Sequence, residues 1–166
     1  MNLMHTILVV AGLCLAPTLS AGELKPFDGP TPGLELPDLE GKTHHLADYR
    51  GKVVVVQFWA TYCTPCRTEM PSMNRLLEKM DDKLAILAVD MSEPPEQVQK
   101  FVDEVKPAFP VLLDEKGDAI QAWKVFAVPS SFVLDPAGKI RYTLYGATEW
   151  DAPEMRQALT GLLPSN

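Results

Sequence analysis

The sequence predicts an α/β fold, and three observations predict it. Two apolar runs rich in β-branched residues, at positions 53–58 and 84–89, have the composition of buried strands. Between them, apolar residues recur at spacings of three and four, which indicates an amphipathic helix. These residues are Met70, Met73, Leu77 and Met80. A helical crossover between two such strands is typical of a parallel βαβ unit.

Length and charge narrow the classes of function. The 166 residues are enough for one domain with a sizeable core. The formal net charge of −7 argues against nucleic acid or an anionic membrane surface as a partner.

Residues 1–21 resemble a secretory signal peptide. They contain no Asp, Glu, Lys or Arg, and an apolar stretch at positions 6–16 is followed by Pro17 and the small residues Ser20 and Ala21. The stretch is shorter than the ~20 residues that a membrane-spanning helix needs, so cleavage is favoured over a retained anchor. We therefore expect export to the periplasm.

The cysteine count points to redox chemistry. Cys14 lies within the predicted signal peptide, so its removal leaves Cys63 and Cys66 as the thiols of the mature protein. In an oxidising compartment, a solitary dithiol is either an oxidant or a reductant that a partner keeps reduced.

The region before the first long strand divides into a linker and a hairpin. Positions 22–32 are rich in Pro and Gly and predict a linker, which leaves 33–166 as the folded domain. Positions 34–46 predict a hairpin that turns around Gly41. His44 and His45 point to opposite faces of a strand, so we expect exposed edge histidines and no metal site.

The Cys-Thr-Pro-Cys sequence follows the first apolar run directly. Cys63 is expected at the start of the helix and Cys66 one turn further in, and Pro65 suits a first helical turn. A helix N-terminus presents free N–H groups and positive dipole charge to a thiolate. We therefore interpret Cys63 as the nucleophile and Cys66 as the resolving thiol, with an inert disulfide or half of a metal site as the alternative.

Three segments carry a resemblance to a known family. Positions 58–71 resemble the active-site segment of the thioredoxin-fold family, in its periplasmic TlpA/ResA-like, CcmG-related branch. Positions 36–52 are similar to the N-terminal hairpin of that branch, and positions 128–135 to its cis-proline strand. The resemblance implies a thioredoxin fold with an N-terminal β-hairpin extension and a central helix–strand insertion.

The resemblance also assigns roles near the cysteines. Gln57 stands where many thioredoxins have a buried acid, so the proton of Cys66 must go to another group or to water. Glu69, one turn beyond Cys66, matches an acid of the ResA-like branch implicated in thiol chemistry. The alternatives for Glu69 are a solvated side chain or an ion pair with Arg67 or Arg75.

A substrate-binding set is predicted on the same basis. The resemblance implies that Val128 and Pro129 form a cis bond opposite the cysteines, which leaves the Val128 backbone free to pair with a substrate. Trp59, beside the dithiol, completes this set.

The remaining elements are predicted from local patterns. Ser92 is expected to cap a helix with one apolar stripe, formed by Val98, Phe101, Val102 and Val105. A strand at 110–113, a short helix at 118–126 and a half-exposed strand at 140–145 follow. Asp151 opens a final helix, and Trp150 before it is expected to pack rather than bind.

The combined prediction is a thiol-disulfide oxidoreductase that reduces protein disulfides at Cys63 and Cys66, without a cofactor. The resemblance implies a membrane thiol donor of the DsbD or CcdA type, and we expect a monomer. One alternative is a copper(I)-binding chaperone that uses the two cysteines, with Met70 as a further soft ligand. A peroxidase is disfavoured because the Pro-x-x-x-Thr-x-x-Cys pattern of peroxiredoxins is absent before Cys63.

Overall fold

The structure is a computed structural model and describes residues 22–164. Its strands are β1 (Lys25–Pro26), β2 (Glu35–Pro37), β3 (Thr43–His45), β4 (Val53–Trp59), β5 (Leu84–Asp90), β6 (Val111–Leu113), β7 (Ser130–Leu134) and β8 (Ile140–Tyr145). Its helices are α1 (Thr64–Met80), α2 (Pro95–Val105), α3 (Asp118–Ala122) and α4 (Pro153–Thr160). Short 3₁₀ turns follow β3 and α1.

A six-stranded sheet in the order β1-β8-β7-β4-β5-β6 forms the centre of the fold. All residues of β4 and β5 are buried, as their unbroken apolar runs predict. β4 pairs in parallel with β5 through the α1 crossover, and antiparallel with β7 on its other side. The predicted βαβ unit is confirmed.

The pleat of the sheet divides the core into two layers. On one face, Val55, Trp59 and Ile86 pack with the apolar sides of α1, α2 and α4. On the other, Phe58 and Leu87 pack with residues of α3 and the hairpin. Alternate side chains of a strand point to opposite faces, so a strand covered on both sides must be apolar throughout.

The N-terminal region contributes more to the sheet than sequence analysis predicts. Within the segment predicted as a linker, β1 pairs antiparallel with β8. The predicted signal peptide lies outside the described residues. Among residues 22–164, no helix combines the length and apolar character needed to cross a membrane.

The predicted hairpin is confirmed, but the prediction of an exposed His44 is wrong. β2 and β3 pair antiparallel, and Gly41 adopts the positive φ that their turn requires. His44 is buried because both ring nitrogens have partners: Asp38 Oδ2 at 2.7 Å and Tyr49 Oη at 2.5 Å. His45, on the opposite face, is exposed as predicted.

Two helix predictions need correction at their ends. Ser92 does not cap α2, which begins at Pro95 after Pro94; instead the Ser92 hydroxyl donates to the Asp114 carbonyl at 2.7 Å. α3 is shorter than predicted because the chain turns after it, where Lys124 adopts a positive φ. The predicted apolar stripe of α2 does pack against the core.

Strand direction decides where the functional residues meet. β4, β5 and β8 run in one direction and β7 runs in the other. The C-terminal ends of the first three strands and the N-terminal end of β7 therefore lie at one edge of the sheet. Residues 60–63, 90–93, 128–129 and 146–150 emerge at this edge.

Candidate active site

Cys63 and Cys66 form a disulfide at the start of α1, with their Cα atoms 5.3 Å apart. Cys63 is the N-cap residue of the helix, and its sulfur accepts a hydrogen bond of 3.2 Å from the Cys66 backbone N–H. The predicted position of the pair is confirmed. A sulfur at this position faces the free N–H groups of the first turn, which stabilise negative charge.

The two cysteines differ in exposure. Cys63 is 6% exposed, whereas Cys66 is fully buried. A substrate disulfide can therefore approach Cys63 first, and Cys66 lies behind it on the helix. Met70, one turn further on, is also fully buried in the core, so its sulfur is not available to an incoming copper ion.

Glu69 lies on the inner face of α1 and is only 2% exposed. Its Oε2 accepts hydrogen bonds from the Thr148 backbone N–H and from Trp150 Nε1, both at 3.1 Å, and its Oε1 accepts one from Gln57 Nε2. All three donors are neutral. Burial raises the pKa of Glu69 to about 7, although these hydrogen bonds lower it in part.

The alternatives considered for Glu69 are wrong. It is not solvated, and neither arginine pairs with it. Arg67 binds Glu104 at 2.8 Å and lies over the Phe101 ring, while Arg75 binds Asp151. Gln57, fully buried on β4, provides one of the hydrogen bonds that hold Glu69 in place.

The Val128–Pro129 peptide bond is cis, as the resemblance implies. The segment leads into β7, which is the antiparallel neighbour of β4, so it lies at the same edge of the sheet as the disulfide. Among the residues that the structure describes, no backbone hydrogen bond uses the N–H or C=O of Val128. Both groups are therefore available to an added strand.

The proposed contact of Trp59 with substrate needs correction. Its side chain is fully buried, and its ring packs on that of Phe101 with centroids 4.4 Å apart. The reason is strand alternation, since Trp59 is the last residue of β4 and points into the layer under α1 and α2. Three exposed aromatic residues belong to segments at or next to this edge: Tyr62, 72% exposed, Phe126, 92% exposed, and Tyr145 at the end of β8, 57% exposed.

Sequence analysis misses two groups of polar residues at the site. Thr148 and Trp150 complete the hydrogen bonds of Glu69. After β5, Glu93 accepts hydrogen bonds from Thr61, and Asp90 accepts one from the Glu93 backbone N–H. Trp150 packs as predicted but also donates a hydrogen bond. One signal was available, because Asp90 ends a buried strand parallel to β4 and must emerge beside the cysteines.

Comparison with known proteins identifies the family. A model of the AhpC/TSA family matches residues 28–143. The chain belongs to this family. The chain is similar to the thiol-disulfide oxidoreductase ResA of Geobacillus thermodenitrificans, with 37% identity over 134 residues, which cover 80% of this chain and 76% of the relative. ResA of Bacillus anthracis is 39% identical over 116 residues, covering 69% and 67%.

Solved structures that are similar to this chain have the thioredoxin fold. The exposed lipoprotein thioredoxin Etrx1 of Streptococcus pneumoniae has a TM-score of 0.68 at 27% identity, covering 78% of this chain and 98% of Etrx1. A thioredoxin-family thiol:disulfide interchange protein of Chlorobium tepidum has a TM-score of 0.70 at 23% identity, covering 82% and 98%. The chain is thus a thiol-disulfide oxidoreductase of thioredoxin type.

Proposed function

We propose that this protein reduces disulfides of exported proteins, with Cys63 as the nucleophile and Cys66 as the resolving thiol. The observation that carries the proposal is the unequal exposure of two cysteines that form a disulfide at a helix N-terminus. The N-terminal segment predicted as a signal peptide supports a periplasmic location.

The exchange proceeds in two steps. The Cys63 thiolate attacks a substrate disulfide, so that a Cys63–substrate bond forms, the substrate S–S bond breaks, and one substrate sulfur leaves as a thiolate and takes a proton. Cys66 then loses its proton and attacks Cys63. The Cys63–Cys66 disulfide forms, the mixed disulfide breaks, and the second substrate thiol leaves.

Two electrons pass to the substrate in each cycle, and a donor must return them. A membrane thiol transporter of the DsbD or CcdA type fits this role, because the predicted export places the protein away from cytosolic reductants. Apocytochrome c, a copper-site protein of oxidase assembly and other exported proteins with disulfides are the proposed substrates.

Glu69 is the proposed proton acceptor for Cys66. The two residues are three apart on one helix, where Cβ atoms lie ≈ 5–6 Å from each other. A general base works best when its pKa lies near the operating pH, and burial raises the pKa of Glu69 to about 7. Gln57 cannot accept the proton, but its hydrogen bond holds the carboxylate in position.

Substrate would bind beside the cis-proline as an extended strand. The free N–H and C=O of Val128 offer the hydrogen bonds of β-pairing next to Pro129, and pairing of this kind depends little on side-chain identity. Tyr62 and Phe126 supply exposed apolar surface at the same edge.

A trapping experiment tests the assignment of the two cysteines. Reduced Cys66→Ser should form a stable mixed disulfide with a protein substrate, since the resolving thiol is missing. The matched Cys63→Ser variant should trap little, because Cys66 is buried. Equal trapping by both variants, or trapping by Cys63→Ser alone, would overturn the assignment, as mass spectrometry of the adducts will show.

A further inference from the structure

A buried carboxylate holds the loop in front of the nucleophile. Glu93, in the loop after β5, accepts two hydrogen bonds from Thr61, one from the backbone N–H and one from the hydroxyl, each 2.5 Å long. Thr61 stands two residues before Cys63. Both carboxylate oxygens of Glu93 thus serve as acceptors, so the side chain is held at two points of Thr61.

A second carboxyl group lies behind the first. Asp90 is fully buried at the end of β5, and its Oδ2 accepts a hydrogen bond of 2.7 Å from the Glu93 backbone N–H. Its Oδ1 has no hydrogen-bond partner among the described residues. Burial and the neighbouring Glu93 raise the pKa of Asp90 well above its usual range.

No cation neutralises this pair within residues 22–164. The cation nearest to Cys63 in sequence is Arg67 on α1, and Glu104 of α2 binds it. Tyr62 is a further ionisable side chain within the loop. Negative charge at Glu93 is therefore not compensated by an ion pair.

This charge lies beside the loop that leads to the reacting sulfur. The Glu93 carboxylate is hydrogen-bonded to Thr61, and two residues of chain span at most ~7 Å, so it is held next to the segment that carries Cys63. A nearby like charge disfavours a thiolate. Stabilising the reduced form of a dithiol makes it a stronger oxidant. A charge that disfavours the thiolate destabilises the reduced form, so it makes the dithiol a stronger reductant.

We propose that Glu93, supported by Asp90, is a positioning residue that makes the Cys63–Cys66 pair more reducing. It does so by placing negative charge near the Cys63 thiolate, and the hydrogen bonds to Thr61 hold that carboxylate beside the loop. This inference rests on the proposed function in that it takes Cys63 as the nucleophile.

The test is the pH dependence of Cys63 alkylation by iodoacetamide in the reduced protein, followed site by site with mass spectrometry. Glu93→Gln can keep both contacts, because its amide oxygen can accept from the Thr61 N–H and its amide N–H can donate to the Thr61 hydroxyl. Only the charge is lost. Thr61→Val is the matched control, since it removes one hydrogen bond and leaves the charge.

We expect Glu93→Gln to lower the pH midpoint of Cys63 alkylation by about one unit, a roughly tenfold rise in thiolate fraction below the midpoint, and to raise the reduction potential. Thr61→Val should stay close to the parent protein. Asp90→Asn should lower the midpoint of Cys63 alkylation by a smaller amount. If Glu93→Gln does not fold, the result for Asp90→Asn tests the inference in its place.

Unchanged midpoints in Glu93→Gln and Asp90→Asn would overturn the inference, and so would an equal shift in Thr61→Val, because geometry rather than charge would then be responsible. A failure of the proposed function would give a different result from these two outcomes. If Cys63 is not the nucleophile, Cys66 would be alkylated faster than Cys63 in the parent protein.

Discussion

Two carboxylates on opposite sides of α1 show how the same group acquires different properties. Glu69, on the inner face, is buried among neutral donors, and burial raises its pKa to about 7. Asp151 lies against the outer face, where hydrogen bonds from Arg75 and Lys79 hold its pKa well below the usual range. Asp151 stays ionised at physiological pH, whereas Glu69 can gain or lose a proton there. Proton-transfer chemistry is therefore expected on the inner face, and the outer face is structural.

The largest effect that separates the two faces is expected at Cys63. Cys63→Ser should lower the turnover of a protein disulfide such as that of insulin by at least about 10³-fold, because Cys66, the other cysteine of residues 22–164, is fully buried. Arg75→Ala on the outer face should keep most of the activity. Comparable losses in both variants would contradict the division between the faces.

Glu69→Gln should have the next largest effect on activity. At pH 7 we expect turnover to fall by about 10²-fold, which is the lower end for loss of a general acid or base. In the parent protein, activity should rise with pH through about 7 as Glu69 ionises. That rise should be missing in Glu69→Gln, and a parallel pH profile with a lower plateau would argue that Glu69 only supports the fold.

The same residue predicts an effect on stability. The folded-state pKa of Glu69, about 7, lies above its ordinary value of 4.5, so the unfolded chain ionises first as pH rises. The oxidised protein should therefore lose stability between about pH 4.5 and 7, by roughly 2–4 kcal/mol. Urea unfolding of the parent and of Glu69→Gln checks this, since the variant should lack that loss.

The smallest effect is expected at Asp151. Its lowered pKa means that its ion pairs stabilise the fold above the ordinary carboxyl range and lose this contribution as pH falls through the lower folded-state value. Asp151→Asn should cost about 1 kcal/mol or less at pH 7, which is typical of surface ion pairs. The cost should shrink in high salt, whereas the Glu69 effect should persist because that site is buried.

The comparison also shows which features a sequence can predict. The strands β4 and β5 and the start of α1 are encoded locally, by apolar runs and by the Cys-Thr-Pro-Cys sequence, and they were predicted correctly. Glu69 was singled out, but its three donors come from β4 and from the loop after β8. Such long-range contacts leave no local pattern.

The errors have other origins. The buried state of His44 depends on Asp38 and Tyr49, which lie six and five residues away and whose side chains meet its ring only in the folded hairpin. Ser92 has the residue type of a helix cap, yet the two prolines after it start α2, and its hydroxyl binds Asp114. Trp59 is predicted to bind substrate because it lies near the cysteines in sequence, yet strand alternation directs its ring inward.

The central claim is that the Cys63–Cys66 pair is a reductant, and its equilibrium reduction potential tests this most directly. The purified protein can be equilibrated in thiol buffers of defined potential, and the reduced fraction measured by alkylation and mass spectrometry. We predict a value near the ~−270 mV of thioredoxin. A value near ~−120 mV, which is typical of a strong oxidant, would contradict the account.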